Sequence, residues 1–286
     1  MTQEALSMHD NTTFQPHLLR GKTALITGGG SGINRQIAAT YAAAGAAVAI
    51  VGRDGDKAAR AAREIEAAGG RAIGLAADVR HYDALRAVAE QAHAWAGPLD
   101  IVVAGAAGNF VATATGMSAN GFRAVVDTDL VGTFNTVRAA HDFLRKPSAL
   151  VLAISAVQST LPTYAQAHVC AAKAGIDMLV RSLAVEWGEQ GIRCVGIAPG
   201  PVADTVGMEK LAPHGQASWA RLLEGIPAGR GASRQEIADL ALFLASPSAQ
   251  YINGVIIPID GGFSCLGSLA FGQMLRDSVR EAQQAL

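Results

Sequence analysis

Charge is scarce in this chain: Asp, Glu, Lys and Arg make up 16% of its 286 residues, and the formal net charge is -1. Such a balance excludes the basic stripe that a nucleic acid or an anionic membrane surface requires, so a small-molecule partner is expected. Cysteine is scarce as well. Cys170, Cys194 and Cys265 stand far apart, with no C-x-x-C and no histidine pair at ligand spacing, which argues against structural zinc and predicts no metal site. Long apolar runs are missing too. The first 20 residues carry Glu4, His9, Asp10 and His17 where a signal peptide would be apolar, and no uncharged stretch is long enough to span a bilayer. A cytoplasmic chain in a reducing compartment is therefore expected. Aromatics are only 5%.

What is abundant is small and aliphatic. Half of the residues are apolar and 32 are glycine, a composition suited to helices packed closely on a sheet, and the length suits one large core. After a polar lead-in over residues 1–20, short apolar runs alternate with helical patterns. "KTALIT" precedes a helix predicted from about Gly32 to Ala44, "AAVAIVG" one from about Asp56 to Ala68, and "RAIGLAA" one from about Asp83 to Trp95. "LDIVVAG", "ALVLAIS", "IRCVGIA" and "GVIIPIDGG" complete a set of seven strands. Their continuous Val/Ile/Ala character is that of parallel strands covered on both faces. The expected fold is α/β: a single doubly wound Rossmann-type domain over residues 21–263, a seven-stranded parallel sheet with helices on both faces. Residues from about 203 to 230, rich in Gly, Pro and His, read as a segment covering the substrate. Residues 264–286 read as a C-terminal tail that docks on a neighbouring subunit or frays.

The first strand runs into "TGGGSGIN". Gly28, Gly29, Gly30, Ser31, Gly32 and Ile33 would bring backbone N–H groups and a helix N-terminus against a pyrophosphate. At the tip of the second strand, where NAD enzymes place a ribose-binding carboxylate, stands Gly52 followed by Arg53. A guanidinium suits a 2′-phosphate, so NADP(H) is expected. In the alternative, Arg53 is solvated and Asp54 takes the ribose. In "ADVR", Asp78 would accept from the adenine amino group beside Val79, and Arg80 would meet a phosphate or merely solvent. Ala104 closes the fourth strand on the cofactor side. "APGPVADT" supplies Pro199, Gly200, Pro201, Val202 and Thr205 for the nicotinamide carboxamide.

These motifs, with "DLVGTFN", "CAAKAGIDMLVRSLAVEWGEQGIRCVGIAPGPV" and "INGVIIPIDGG", resemble the short-chain dehydrogenase/reductase family over about residues 20–263. Of that family's usual Asn, Ser, Tyr and Lys, this chain keeps Lys173; Asp129 stands at the asparagine, Ala156 at the serine and Val169 at the tyrosine. Ser155, one position short, reads as structural. Without the phenol, reduction of an isolated ketone lacks its acid, whereas hydride addition to a conjugated thioester leaves an enolate that can be protonated on carbon. Within the family the sequence is most similar to peroxisomal-type 2,4-dienoyl-CoA reductases. That resemblance implies NADPH-dependent reduction of an α,β-unsaturated fatty acyl-CoA, with Asp129 and Lys173 holding the protonating water and Lys173 bonding the nicotinamide ribose. It also places Asn109 and Phe110 against the thioester, and lets Arg53 and Arg80 serve the adenosine phosphates of coenzyme A. Gln158 would reach the pocket from the fifth strand's end. A homotetramer, paired through the helices of Asp129 and Lys173, is implied as well.

Three other readings stay open. His168 or Tyr164 could replace the missing acid in a carbonyl or diol dehydrogenase. The substrate could be a trans-2-enoyl-CoA. The substitutions could mark a catalytically decayed nucleotide-binding protein. Cys170 reads as a small apolar helix residue.

Overall fold

The structure, a computed structural model, describes residues 14–203, 223 and 225–266. Seven parallel strands form one sheet in the order β3-β2-β1-β4-β5-β6-β7: β1 Thr23–Thr27, β2 Ala47–Gly52, β3 Arg71–Ala76, β4 Ile101–Ala104, β5 Ala149–Ile154, β6 Ile192–Pro199 and β7 Ile256–Ile259. The helices are α1 Gly32–Ala43, α2 Gly55–Ala67, α3 Tyr82–Ala96, α4 Ala119–Val126, α5 Gly132–Ala140, α6 Ala167–Trp187 and a late helix, α7, Arg234–Ala245. The three helices expected early in the chain thus begin and end within a residue of the structure's bounds.

Alternation along each strand divides the core. Ala24 and Ile26 of β1, Val48 and Ile50 of β2, and Leu150, Leu152 and Ile154 of β5 face the side covered by α1, α2 and α7. Their neighbours Leu25, Ala49, Val51, Val151 and Ala153 face α3, α5 and α6. Both sides of the pleat are buried, which is why these strands carry no polar alternation. At the amino ends of the strands the buried carboxylate of Asp100 accepts from Lys22 Nζ at 2.9 Å, Arg145 Nε at 2.6 Å and the Thr23 backbone N–H at 2.9 Å. This ties β1 to the approaches of β4 and β5, away from the carboxyl ends.

Strand order reverses between β1 and β4, and in such sheets the crevice at the carboxyl ends of the strands opens there. The turn after β1 crosses it closely: Gly28 has φ +71°, and a Cβ there would lie 3.0 Å from the Ala106 backbone. The expected covering segment is pinned at its two ends, since Ala203 N–H donates to Ala232 O and Ala232 N–H to Pro201 O, both at 2.9 Å. Most of that segment, with Thr205, lies outside the described residues, as do the first 13 residues and the tail beyond residue 266. Among the described residues no helix is long and apolar enough to cross a membrane, and no group of His, Cys, Asp and Glu is arranged to hold a metal ion.

Candidate active site

A cleft of about 790 Å³ lies at this reversal point. One end is backbone: Gly28, Gly30, Ser31, Gly32 and Ile33 line it, at the start of α1. Helices α2, α4 and α7 are capped by the side chains of Asp54, Ser118 and Ser233, whereas Ser31 makes no such bond and the first turn of α1 carries no acidic residue. Free N–H groups and the positive end of the helix dipole are therefore left for an anion. Gly29 lies within this turn but not on the wall.

Arg53, Asp54 and Lys57 line the same end. Asp54 Oδ1 accepts from Lys57 N–H at 2.9 Å as the cap of α2, so one of its oxygens is committed to the helix. Arg53 is exposed at the strand tip. Lys57, in the first turn of α2, carries no motif that marks it in the sequence, yet it lines the same end as Arg53. Asp78 and Arg80 turn toward each other, with Arg80 Nη2 2.6 Å from Asp78 Oδ2. The guanidinium's hydrogen bonds hold the Asp78 carboxyl down to about 2. Neither is on the cleft wall; Val79 between them is.

A second unforeseen residue is Asn34, whose Nδ2 reaches across the cleft floor to the Gly105 carbonyl at 2.7 Å. The approach requires glycine at 105, where a Cβ would lie 2.3 Å from Asn34 Oδ1. Ala104 is buried at the end of β4. Pro199, Gly200 and Val202 line the far end, with Pro201 off the wall.

Between these ends lies the reactive pair. Asp129 sits in a π-helical turn, Asp127–Val131, that interrupts the run from α4 to α5; such turns recur where a side chain is re-aimed at a functional site. Its Oδ1 accepts from Gly108 N–H at 2.7 Å and its Oδ2 stands 3.2 Å from Lys173 Nζ. Lys173 Nζ also donates to the Ile154 carbonyl at the end of β5, at 3.0 Å. Both side chains are buried, 1% and 7% exposed, and both line the cleft. The Asp129 Oδ2 contact is an ion pair without hydrogen-bond geometry, so that oxygen keeps its accepting capacity.

Around the pair the wall's hydroxyls, Thr128 and Ser155, both donate to other protein groups, Thr128 Oγ1 to the Ala124 carbonyl at 2.8 Å. Val169, 3% exposed, packs with Val125 and Ala172 beside Phe110, and Ala156 lines the opposite side. Ser155 Oγ donates to the buried Asp177 carboxylate. Asn109 and Gln158 reach the wall. Phe110 stacks on His168 with centroids 4.4 Å apart, and both lie just behind the wall. Burial pushes the His168 pKa down; the Phe110 backbone and the Asp129 charge act the other way. Tyr164 is 88% exposed and off the wall. Cys170 is half-buried.

The glycine turn, the uncapped helix start and a cleft of this size fit a dinucleotide. The comparisons agree with that geometry. Residues 28–264 match the family model described as Enoyl-(Acyl carrier protein) reductase. The chain is 41% identical over 262 residues to the peroxisomal 2,4-dienoyl-CoA reductase, (3E)-enoyl-CoA-producing, of Arabidopsis thaliana, covering 88% of this chain and 87% of that protein. It is similar to the crystal structure of a short-chain type dehydrogenase/reductase from Mycobacterium marinum, with TM-score 0.80 and 33% identity over 86% of this chain and 97% of that one. A gluconate 5-dehydrogenase from Burkholderia cenocepacia, solved in complex with NADP and tartrate, gives TM-score 0.81 and 31% identity over 86% and 96% of the two chains. The chain belongs to the short-chain dehydrogenase/reductase family of nicotinamide-dependent oxidoreductases.

Proposed function

We propose that the chain reduces α,β-unsaturated fatty acyl-CoA thioesters with NADPH, a 2,4-dienoyl-CoA being its substrate. One observation carries this reading: a buried amine and carboxylate, Lys173 and Asp129, face a cleft in which Val169 and Ala156 stand at the acid positions and the hydroxyls of Thr128 and Ser155 are donated to the Ala124 carbonyl and Asp177. The Arabidopsis relative bears the corresponding name.

In this reading the turn from Gly28 to Ile33, Gly29 included, with the start of α1, takes the cofactor's pyrophosphate. Arg53 and Lys57 take its 2′-phosphate, Asp78 and Val79 flank the adenine, and Ala104 backs the ribose. Pro199, Gly200, Pro201, Val202 and Thr205 hold the carboxamide. Bound there, the cofactor supplies the hydride for the distal carbon of the conjugated chain. Asn109 donates to the thioester oxygen, where negative charge accumulates, Gln158 borders the acyl chain, and Phe110 backs the wall behind it. Lys173 stabilises the developing dienolate by its fixed charge. Asp129 accepts a hydrogen bond from a water and aims that water's other proton at the carbon next to the thioester. Protonation there leaves the remaining double bond at carbon 3. Arg80 would release Asp78 to meet a phosphate of coenzyme A.

Turnover in deuterium oxide tests this directly. The expected product is a 3-enoyl thioester carrying one solvent deuterium at carbon 2 and the cofactor's hydride at carbon 5; a solvent deuterium on oxygen alone would refute the reading. Arg53→Ala is expected to raise the KM for NADPH about tenfold or more by removing a charge-assisted partner, with little change in the KM for NADH. Parallel titration of the two cofactors checks it.

The same proposal includes the cover formed by residues 203–230 and a homotetramer. Phe134 of α5 with Met178 and Val185 of α6 expose apolar surface on one side, 44%, 60% and 81% exposed. Tyr251 and Val255, near the β7 edge, expose a second patch. Two separate self-complementary patches close into dihedral symmetry. Light scattering should give four times the 29.4 kDa chain mass, and Val185→Asp should reduce it to dimers.

A further inference from the structure

Among the described residues, seven buried side-chain polar atoms have no hydrogen-bond partner in the protein, and five of them lie in one neighbourhood: Asn109 Oδ1, Asp129 Oδ2, Gln166 Oε1 and both ring nitrogens of His168. Native interiors rarely leave such atoms unmatched, and groups converging this way mark a place for ordered water. Three distant segments build it. The loop after β4 is fastened to the start of α6 by Ala112 N–H donating to Ala165 O at 3.1 Å and by Gln166 Nε2 donating to the Phe110 carbonyl at 2.7 Å. The same loop holds the π-helical turn through Gly108 N–H and Asp129 Oδ1.

His168 is fully buried within this set, its ring against Phe110. The Phe110 carbonyl and the Asp129 charge both act on it, yet burial prevails and favours the neutral ring, and neither nitrogen reaches hydrogen-bonding geometry with a protein group. A neutral imidazole has one N–H and one lone pair, so it can give a proton at one nitrogen while taking one at the other. It stands one residue from Val169, which lines the cleft, and behind the cleft rather than in it.

We infer that His168 relays protons from solvent to the water held by Asp129 and Lys173, acting through that water as a positioning residue for carbon protonation. The inference rests on the reductase reading above. An O–H bond of the held water breaks as the C–H bond forms on the dienolate, leaving hydroxide beside Lys173. The His168 N–H proton passes to that hydroxide. The opposite ring nitrogen takes a proton from a second water bordered by Asn109 and Gln166, and solvent restores that proton. The relay itself moves no electrons beyond those bonding pairs.

His168→Phe keeps the ring and its stack on Phe110 but removes both nitrogens; His168→Gln keeps hydrogen bonding but cannot exchange protons. Single-turnover measurements with NADPH and a 2,4-dienoyl-CoA should show hydride transfer within about threefold of wild type in both variants. Protonation of the dienolate should slow about tenfold to a hundredfold, with a larger solvent deuterium isotope effect on that step. Protonation at the wild-type rate in either variant overturns the relay. A wild-type protein inactive on the thioester overturns the reductase reading and the relay with it. Independently of turnover, a high-resolution crystal structure of the wild type should show ordered water bridging His168 and Asp129; a dry contact there overturns the relay.

Discussion

Lys173→Met is expected to lower kcat on a dienoyl thioester by about a thousandfold or more, the scale of losing both a fixed charge at the developing oxyanion and a proton-positioning group. Lys173 Nζ donates to the Ile154 carbonyl at 3.0 Å and stands 3.2 Å from Asp129 Oδ2 as an ion pair without hydrogen-bond geometry, so two of its three N–H bonds remain to be used at the cleft. The substitution also leaves the Asp129 carboxylate buried without its cation, an arrangement that costs about 3–5 kcal/mol in other proteins. Thermal melts must therefore accompany the kinetics. Asp129→Asn keeps the shape but leaves Lys173 as the unpaired buried ion, so it needs the same melts, and it is expected to lower kcat about a hundredfold. Because both groups would act on one water, Lys173→Met with Asp129→Asn should be little worse than Lys173→Met alone. Steady-state kcat for the three variants reads this out, and a product of the two separate losses would show that the residues act independently.

The second large effect is a gain. Val169→Tyr with Ala156→Ser puts a phenol one helical turn before Lys173 and a hydroxyl across the cleft. Val169 is buried with Val125 and Ala172 but also lines the cleft, so the added ring has open volume ahead of it, which limits the cost of overpacking. Reduction of a simple ketone should rise about a hundredfold or more above the wild-type background, since a general acid now reaches an alkoxide. Turnover of the dienoyl thioester should fall, because the ring takes the space of the water beside Asp129. NADPH consumption with each substrate checks both directions. A ketone rate unchanged by the pair would mean that the missing acid is not what restricts the chemistry.

The sheet was legible because its inner strands are buried on both faces and so read as unbroken aliphatic runs, from "TALIT" to "ALVLAI", and the partly buried edge strands β3 and β7 keep that aliphatic character. The glycine turn was legible because a strand leads into it and a helix out of it. The π-helical turn at Asp127–Val131 was not: no residue type marks an extra residue in a helix, and the aspartate's aim depends on it. Asp78 is expected to accept from an adenine amino group, and that Arg80, two residues on, folds back onto it depends on turn geometry that composition does not encode. Asn34 has no spacing signature, since its partner is the carbonyl of Gly105, 71 residues away. The polar neighbourhood of His168 joins residues 108–112, 129 and 166–173, and only their convergence in space distinguishes that histidine from a packed one.

On the proposed reading, a buried amine and carboxylate without a phenol serve a conjugated thioester and not an isolated carbonyl. Rates of NADPH oxidation by the purified wild-type protein, measured side by side with a 2,4-dienoyl-CoA and with a simple ketone, test it most directly. Turnover of the thioester, and none of the ketone above background, is the expected result. Brisk ketone reduction with no reaction of the thioester would contradict it.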